Sequence, residues 1–202
     1  MKSKVAIVGT GPAALMAAQV LGMGGLEVHL IEKRPSAGRK LLIAGSSGLN
    51  ITHSLSLPEF SRQYSGPSSF WNHLLSEFSP KDWIQFIERL GIKTFKGTSG
   101  RYFVESMTAA KLLTTWRKKL NSLGVQWHFN VECADFVPIQ NRWRLICGKQ
   151  SQFDADAVLF ALGGGSYEPD EKPLRWPAMF KNKKIQFNPF TPSNVGHRVE
   201  WS

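Results

Sequence analysis

Six residues near the amino terminus, Gly9-Thr10-Gly11-Pro12-Ala13-Ala14, have the types and spacing of a phosphate-binding turn. In the pattern G-x-G-x-x-G/A the first glycine makes a tight turn and the second lets backbone approach a pyrophosphate. A small third residue lets the following helix pack close to the strand. That helix offers its N–H groups and positive dipole end to the phosphates. About 20 residues on, such a unit places an acid that accepts hydrogen bonds from ribose hydroxyls, and Glu32 stands there, followed by Lys33 and Arg34. A carboxylate against the ribose repels a 2′-phosphate, so FAD or NAD is expected ahead of NADP, a preference that the two cations soften.

These residues need a strand before the turn, a helix after it and a second strand ending at the acid. Val5-Ala6-Ile7-Val8 has the length and β-branching of a buried parallel strand, residues 13–21 are helix formers, and the apolar run 26–31 closes on Glu32. The spacing predicts a βαβ unit. Lys2 and Lys4 before apolar residues could pass for a targeting segment, but Gly9, Gly11 and Pro12 cut the run in two. Residues 33–56, rich in Gly, Ser and Lys without a clear period, read as a long ligand-contacting loop.

Helices are expected over 69–78, over 80–90 and over 108–122. The second is opened by Ser79-Pro80-Lys81-Asp82 and closed by Gly91, and the third ends at Gly124. Trp83, Phe86, Ile87 and Leu90 recur at helical spacing and read as core. Extended segments are expected over 100–104, 125–130, 133–138 and 143–147, and a fully apolar strand over 157–162 runs into Gly163-Gly164-Gly165. The fold expected is α/β: a doubly wound, Rossmann-like domain with a parallel central sheet, a helical excursion over 56–122 and a small β section over 125–153.

With 202 residues, 42% hydrophobic and 20% charged, the composition excludes a disordered or collagen-like chain. The formal net charge of +10 suits an anionic partner, but the excess is scattered. Arg117-Lys118-Lys119 and Lys181-Asn182-Lys183-Lys184 lack a flanking stacking platform and read as solvated faces, so no nucleic-acid partner is expected, and no membrane partner either. Cys133 and Cys147 form neither a disulfide framework nor a CxxC metal pair, which fits a reducing, cytoplasmic location. No metal cluster, P-loop or Ser-His-Asp set is visible.

The run from Gly38-Arg39-Lys40 through Gly48-Leu49-Asn50-Ile51-Thr52-His53-Ser54 resembles the flavin-contacting loop of a family of flavoproteins with two dinucleotide-binding domains. These are grouped with aminoacetone oxidase and the BaiN-type NAD(P)/FAD-dependent oxidoreductases, in the branch carrying GLNxTHS. Gly97-Thr98-Ser99-Gly100-Arg101-Tyr102-Phe103, the helix start at 107–113 and Ala161-Leu162-Gly163-Gly164-Gly165-Ser166 fit the same family in the same order. The resemblance implies FAD as cofactor, with NAD(P)H a possible reductant. It carries cofactor contacts onto Gly9, Gly11, Pro12, Ala13, Glu32, Lys33, Arg39, Lys40, Ser47, Gly48, Asn50, Thr52, Cys133, Ala161, Gly163 and Gly164. Cations at Arg39 and Lys40 suit a pyrophosphate, and Ser46, Ser47, Asn50 and Thr52 supply hydrogen bonds. Cys133 reads equally as a small buried thiol. His53 reads as a loop hydrogen-bonding residue beside the catalytic alternative, and no catalytic residue is assigned.

The resemblance further implies an FAD-binding domain over residues 1–187, with 188–202 the start of a truncated substrate-domain insertion. The function expected is the FAD-binding portion of an oxidoreductase passing hydride between flavin and a small organic substrate or NAD(P)H. A non-catalytic dinucleotide-binding remnant is the alternative, and a basic nucleic-acid-binding protein the third reading.

Overall fold

The computed structural model describes residues 2–46, 48–105, 107–148, 151–166 and 174–190. The chain opens with β1 (Lys4–Val8), α1 (Pro12–Met23) and β2 (Glu27–Glu32), the βαβ unit expected. Pro12 sits in the first turn of α1, where its missing N–H costs nothing. Next come α2 (Arg39–Ala44), β3 (Asn50–His53), α3 (Leu57–Ser61), α4 (Ser68–Glu77) and α5 (Pro80–Arg89). The capping box at Ser79 and Asp82 opens α5 as its sequence predicts, and hydrogen bonds from Ser79 hold the Asp82 carboxyl below the usual carboxylate range. After β4 (Thr94–Lys96), β5 (Arg101–Val104) and α6 (Ala109–Ser122) the chain is mostly extended: β6 (Gln126–Phe129), β7 (Cys133–Ile139), β8 (Arg142–Cys147), β9 (Ser151–Ala155) and β10 (Ala157–Phe160), before α7 (Trp176–Asn182).

Four strands form a parallel sheet in the order β10-β1-β2-β6. Because side chains alternate across a strand, Val5 and Ile7 of β1 face one side while Ala6 and Val8 face the other. The first side is covered by helices. Ala14, Leu15 and Ala18 of α1, Leu112, Trp116 and Leu120 of α6, and Phe86 and Ile87 of α5 complete that core. Each fully buried Leu or Ile there contributes about 1.5–3 kcal/mol. The small side chains of Ala14 and Ala18 let α1 lie close on the sheet, and the buried Trp116 indole donates to Gln19 Oε1 at 2.8 Å. The other side is covered by the antiparallel sheet β7-β8-β9 and by α7, through Phe136, Leu145, Cys147, Ala155 and Met179.

Three expectations are corrected. The stretch 33–56 is not one loop: it contains α2 and β3, and β3 pairs with β5, which pairs in turn with β4, in a second antiparallel sheet that adds β4 to the extended segment expected over 100–104. Residues 126–129 belong to the parallel sheet as β6, not to the small β section, which is β7–β9. As an edge strand, β6 is exposed at Gln126 and half-buried after it, and its residues, Gln126-Trp127-His128-Phe129, alternate polar and apolar like those of a solvated antiparallel strand. The last parallel strand ends at Phe160, and 161–164 turn away as the site's floor. The aromatic stripe of α5 is core as expected: Phe86 and Ile87 are buried, and Trp83 stacks on Phe86 at 5.3 Å.

Candidate functional site

The chain proceeds outward from β1 to β2 and β6, then returns to the other flank of β1 as β10. The switch point therefore lies between β1 and β10, above their carboxyl ends, where open α/β sheets bind ligands. A cavity of about 280 Å³ opens there. Its wall holds Lys33, Arg34, Arg39, Lys40 and Arg175 against Glu32 and Glu132, a cationic surplus that suits a diphosphate.

Gly9 leaves β1 with φ +109°, its N–H donating to Ile31 O at 2.8 Å. A Cβ on Gly9 would lie 2.3 Å from the Ala161 carbonyl oxygen, so only glycine lets β1 and the post-β10 turn approach this closely. Gly11 differs. It has φ −75°, and a Cβ there would meet nothing within 4 Å, because it looks into the cavity. Gly11 is also the N-cap of α1 and provides no side-chain cap, so the first N–H groups of the helix remain for a ligand.

Glu32 ends β2 at the cavity wall. The buried Thr10 hydroxyl donates to its Oε2, and the Arg34 N–H donates to Oε1 at 2.9 Å. An ionised carboxylate has about four lone-pair sites, so the two bonds orient it and leave acceptor capacity on its cavity side. At the opposite wall Lys40, on α2, donates to the Gly164 carbonyl and ties the loop after β2 to the turn after β10. Gly38, the left-handed N-cap of α2 (φ +69°), donates its N–H to Thr10 O at 3.0 Å and fixes where that helix starts. On the outer wall α7 is held to β7 by Lys183, whose ammonium lies 2.9 Å from Asp135 and keeps that carboxyl below its ordinary range.

Gly9, Gly11, Pro12, Glu32, Lys33, Arg39, Lys40, Cys133, Ala161 and Gly163 all line this cavity. Gly164 joins it through Lys40. The Ala13 methyl does not: it lines an apolar groove between α1 and β10. Gly48, Asn50 and Thr52 are also outside the cavity lining, at and just before β3, and Ser47 lies outside the described residues. His53 has both ring nitrogens engaged, Nε2 at 3.0 Å from Ser99 O and Nδ1 accepting the Leu55 N–H at 3.2 Å, as a loop-fixing residue would. Sequence reasoning missed Thr10, Glu132, Arg175, Trp176 and Met179 of the wall. The signal for the last two was Trp176, Met179 and Phe180 at helical spacing around Pro177, in a helix only seven residues long. Among the described residues no group of three or more His, Cys, Asp or Glu is placed to hold a metal ion, and no helix is long and apolar enough to cross a membrane.

Solved structures share this architecture. The 3-ketosteroid-delta4-(5alpha)-dehydrogenase of Rhodococcus jostii RHA1 is 13% identical with a TM-score of 0.61, covering 82% of this chain and 47% of that one. THI4 of Thermovibrio ammonificans is 20% identical with a TM-score of 0.50, covering 80% of this chain and 58% of that one. Likeness at these identities establishes the fold. Among curated proteins the chain is 24% identical over 164 residues to the 3-dehydro-bile acid delta(4,6)-reductase of Clostridium scindens, covering 80% of this chain and 39% of that protein. The chain thus spans about two fifths of that relative's length. The HI0933-like protein Rossmann domain matches residues 3–179, nearly the whole described fold. The chain belongs to the HI0933-like family, the aminoacetone oxidase and BaiN-type flavoprotein group that its loop resembles.

Proposed function

We propose that this chain binds FAD with the diphosphate over Gly11 and the adenosine against Glu32, as the FAD-binding part of an oxidoreductase that passes hydride between the flavin and a small organic substrate or NAD(P)H. The observation that carries the reading is the empty arc around Gly11, bounded by the first turn of α1 and by a cationic wall. The residues fit the cofactor: the glycine admits backbone approach, the helix end and Arg39 and Lys40 meet the phosphates, and Glu32 accepts from the ribose. When bound, the flavin supplies the two-electron chemistry. Lys33 flanks the acid, Cys133 and Ala161 supply backbone to the wall, and Gly163 and Gly164 form the floor. Ala13 acts through its backbone N–H in the first turn of α1.

Sites that hold drug-sized ligands run from roughly 300 to 1,000 Å³. The cavity described is at the lower edge of that range, so it suits the adenosine-diphosphate end. We assign Ser47, Gly48, Asn50 and Thr52 to the flavin-ring end. Residues 1–187 are taken as the FAD-binding unit and 188–202 as the start of a substrate-domain insertion, a division supported by the Rossmann-domain match over residues 3–179. A cytoplasmic location, with no nucleic-acid or membrane partner, accords with two free thiols and with dispersed surface cations.

The test is Gly11→Ala. A methyl group there touches no protein atom and needs no unusual φ, so the variant keeps its thermal midpoint. FAD binding, read from the shift of flavin absorption on titration, weakens at least tenfold. Unaltered FAD affinity in the variant, or no binding to the parent chain, sinks the reading.

A further inference from the structure

Cys133 and Cys147 are 14 residues apart in sequence with no motif between them, yet they are directly opposed across β7 and β8. A register shift brings this about. From Ile139 back to Asp135 the hairpin runs in one register, with Asp135 opposite Ile146; continued without a break, that register would set Cys133 against Gly148. The irregularity between Cys133 and Asp135 removes one step, so that Cys133 faces Cys147 instead. The Gly148 N–H donates to Glu132 O at 3.1 Å, so the ladder bond falls on the flanking pair and the two cysteines take the non-hydrogen-bonded position. Opposed Cα atoms in that position are about 4.5 Å apart, inside the roughly 4.4–6.8 Å that a disulfide spans.

Both thiols are free, and each perturbs the other: Cys147 and burial push the Cys133 thiol up, while Cys133 draws Cys147 down, and the Cys133 thiol donates to Asp135 O at 3.4 Å. Cys147 is buried, whereas Cys133 is half-buried and lines the cavity described above. Cys133 is therefore the more accessible of the two, and Cys147 stands directly opposite it at a pairing position that a cross-strand disulfide can bridge.

We propose that Cys133 and Cys147 are a redox-modifiable pair that closes to a reversible cross-strand disulfide in the cavity wall, with a low-molecular-weight disulfide as oxidant. The Cys133 thiolate attacks one sulfur of the oxidant, forming a mixed disulfide and releasing one thiol. Cys147, as thiolate, then attacks Cys133 Sγ and expels the second thiol. Two protein S–H groups are oxidised, the oxidant's S–S bond is reduced, and two small thiols carry away both protons. The raised Cys133 makes the first step slow and faster with increasing pH, while the lowered Cys147 suits the resolving step.

The experiment incubates the reduced full chain with oxidised glutathione and reads intact mass and thiol content, with no nucleotide present, so its outcome is independent of the FAD assignment. The expected product has lost two hydrogens and both titratable thiols, carries no glutathione, remains monomeric on a non-reducing gel, and recovers both thiols with dithiothreitol. Cys147→Ala stops at a stable glutathione adduct on Cys133, and Cys133→Ala reacts several-fold more slowly than the parent. Two thiols persisting in the folded parent while the denatured chain reacts, a lasting glutathione adduct on the parent, or disulfide-linked dimers would each overturn the proposal. The parent measurement decides the matter even if a variant fails to fold.

Discussion

Strand β2 carries a glutamate at each end, and the two are treated oppositely. At the amino end, Glu27 accepts from His29 Nε2 at 2.8 Å and pairs with Lys4 at 3.5 Å, while His29 Nδ1 meets His128 Nε2 at 2.9 Å. Both imidazoles pack against Phe153 of the covering sheet. Every strong group there is used within the protein. At the carboxyl end, Glu32 is oriented by Thr10 and Arg34 on one side and open to a cavity on the other. The same strand thus holds a closed polar network and an available one, and the sheet's polarity decides which end is which. Backbone turns and helix N-termini gather where parallel strands finish.

The sharpest break of this contrast is Gly9→Ala at the carboxyl end. A methyl 2.3 Å from Ala161 O, on a residue at φ +109°, forces β1 and the β10 turn apart. The expected cost is upward of about 2 kcal/mol, seen as a large fall in the denaturant midpoint together with loss of FAD binding. Glu32→Ala acts more narrowly. Charge-assisted hydrogen bonds contribute about 1.5–3 kcal/mol, so FAD affinity by calorimetry falls roughly 10- to 100-fold. Glu27→Ala, on the same strand, leaves that affinity unchanged.

The smallest effect is a pH dependence at the amino end. Burial, then His29, then Lys4 hold His128 below the ordinary imidazole range, and Glu27, drawn down mainly by its bond to His29, is the anion that His29 faces. The two rings can share a bond only while at least one of the facing nitrogens lacks a proton. As pH falls through the unfolded value of about 6.5, the unfolded chain takes up the proton first, so stability declines until the lowered folded value is passed. A thermal-melt series from neutral to mildly acid pH shows that decline, and His128→Gln flattens the part of it that belongs to this pair. Equal slopes in both chains would show that His128 takes up its proton alike in the folded and unfolded chains and contributes nothing to the decline.

The carboxyl end was legible in sequence because its parts are local. The turn, its helix and the acid lie within one βαβ unit, and glycine spacing announces them. The amino-end network was not, since His29 and His128 sit on strands separated by 99 residues. The opposed cysteines were hidden by a register shift that no spacing rule encodes. α2 escaped because six residues capped by a left-handed glycine show no periodicity, and β6 was misassigned because Gln126-Trp127-His128-Phe129 alternates polar and apolar as a half-solvated strand does. Of the residues expected to touch a cofactor, those beside the turn come together, whereas Asn50 and Thr52 stand on a separate small sheet whose position depends on pairing with β5, with Gly48 just before it.

The strand order has a consequence for the chain's synthesis. β1 is central, yet one of its two neighbours is β10, and the Lys4 N–H is received by Asp156, 152 residues later. At translation rates of roughly 5–20 residues per second, β1, once out of the ribosome, waits about 8–30 s for that partner. During that interval β1, β2 and α1 can associate, but one flank of β1 presents unpaired N–H and C=O groups to the cell. The nascent chain therefore passes through a window in which a strand buried in the finished fold is an open edge, and chaperone occupancy should peak there and drop once residue 160 has emerged.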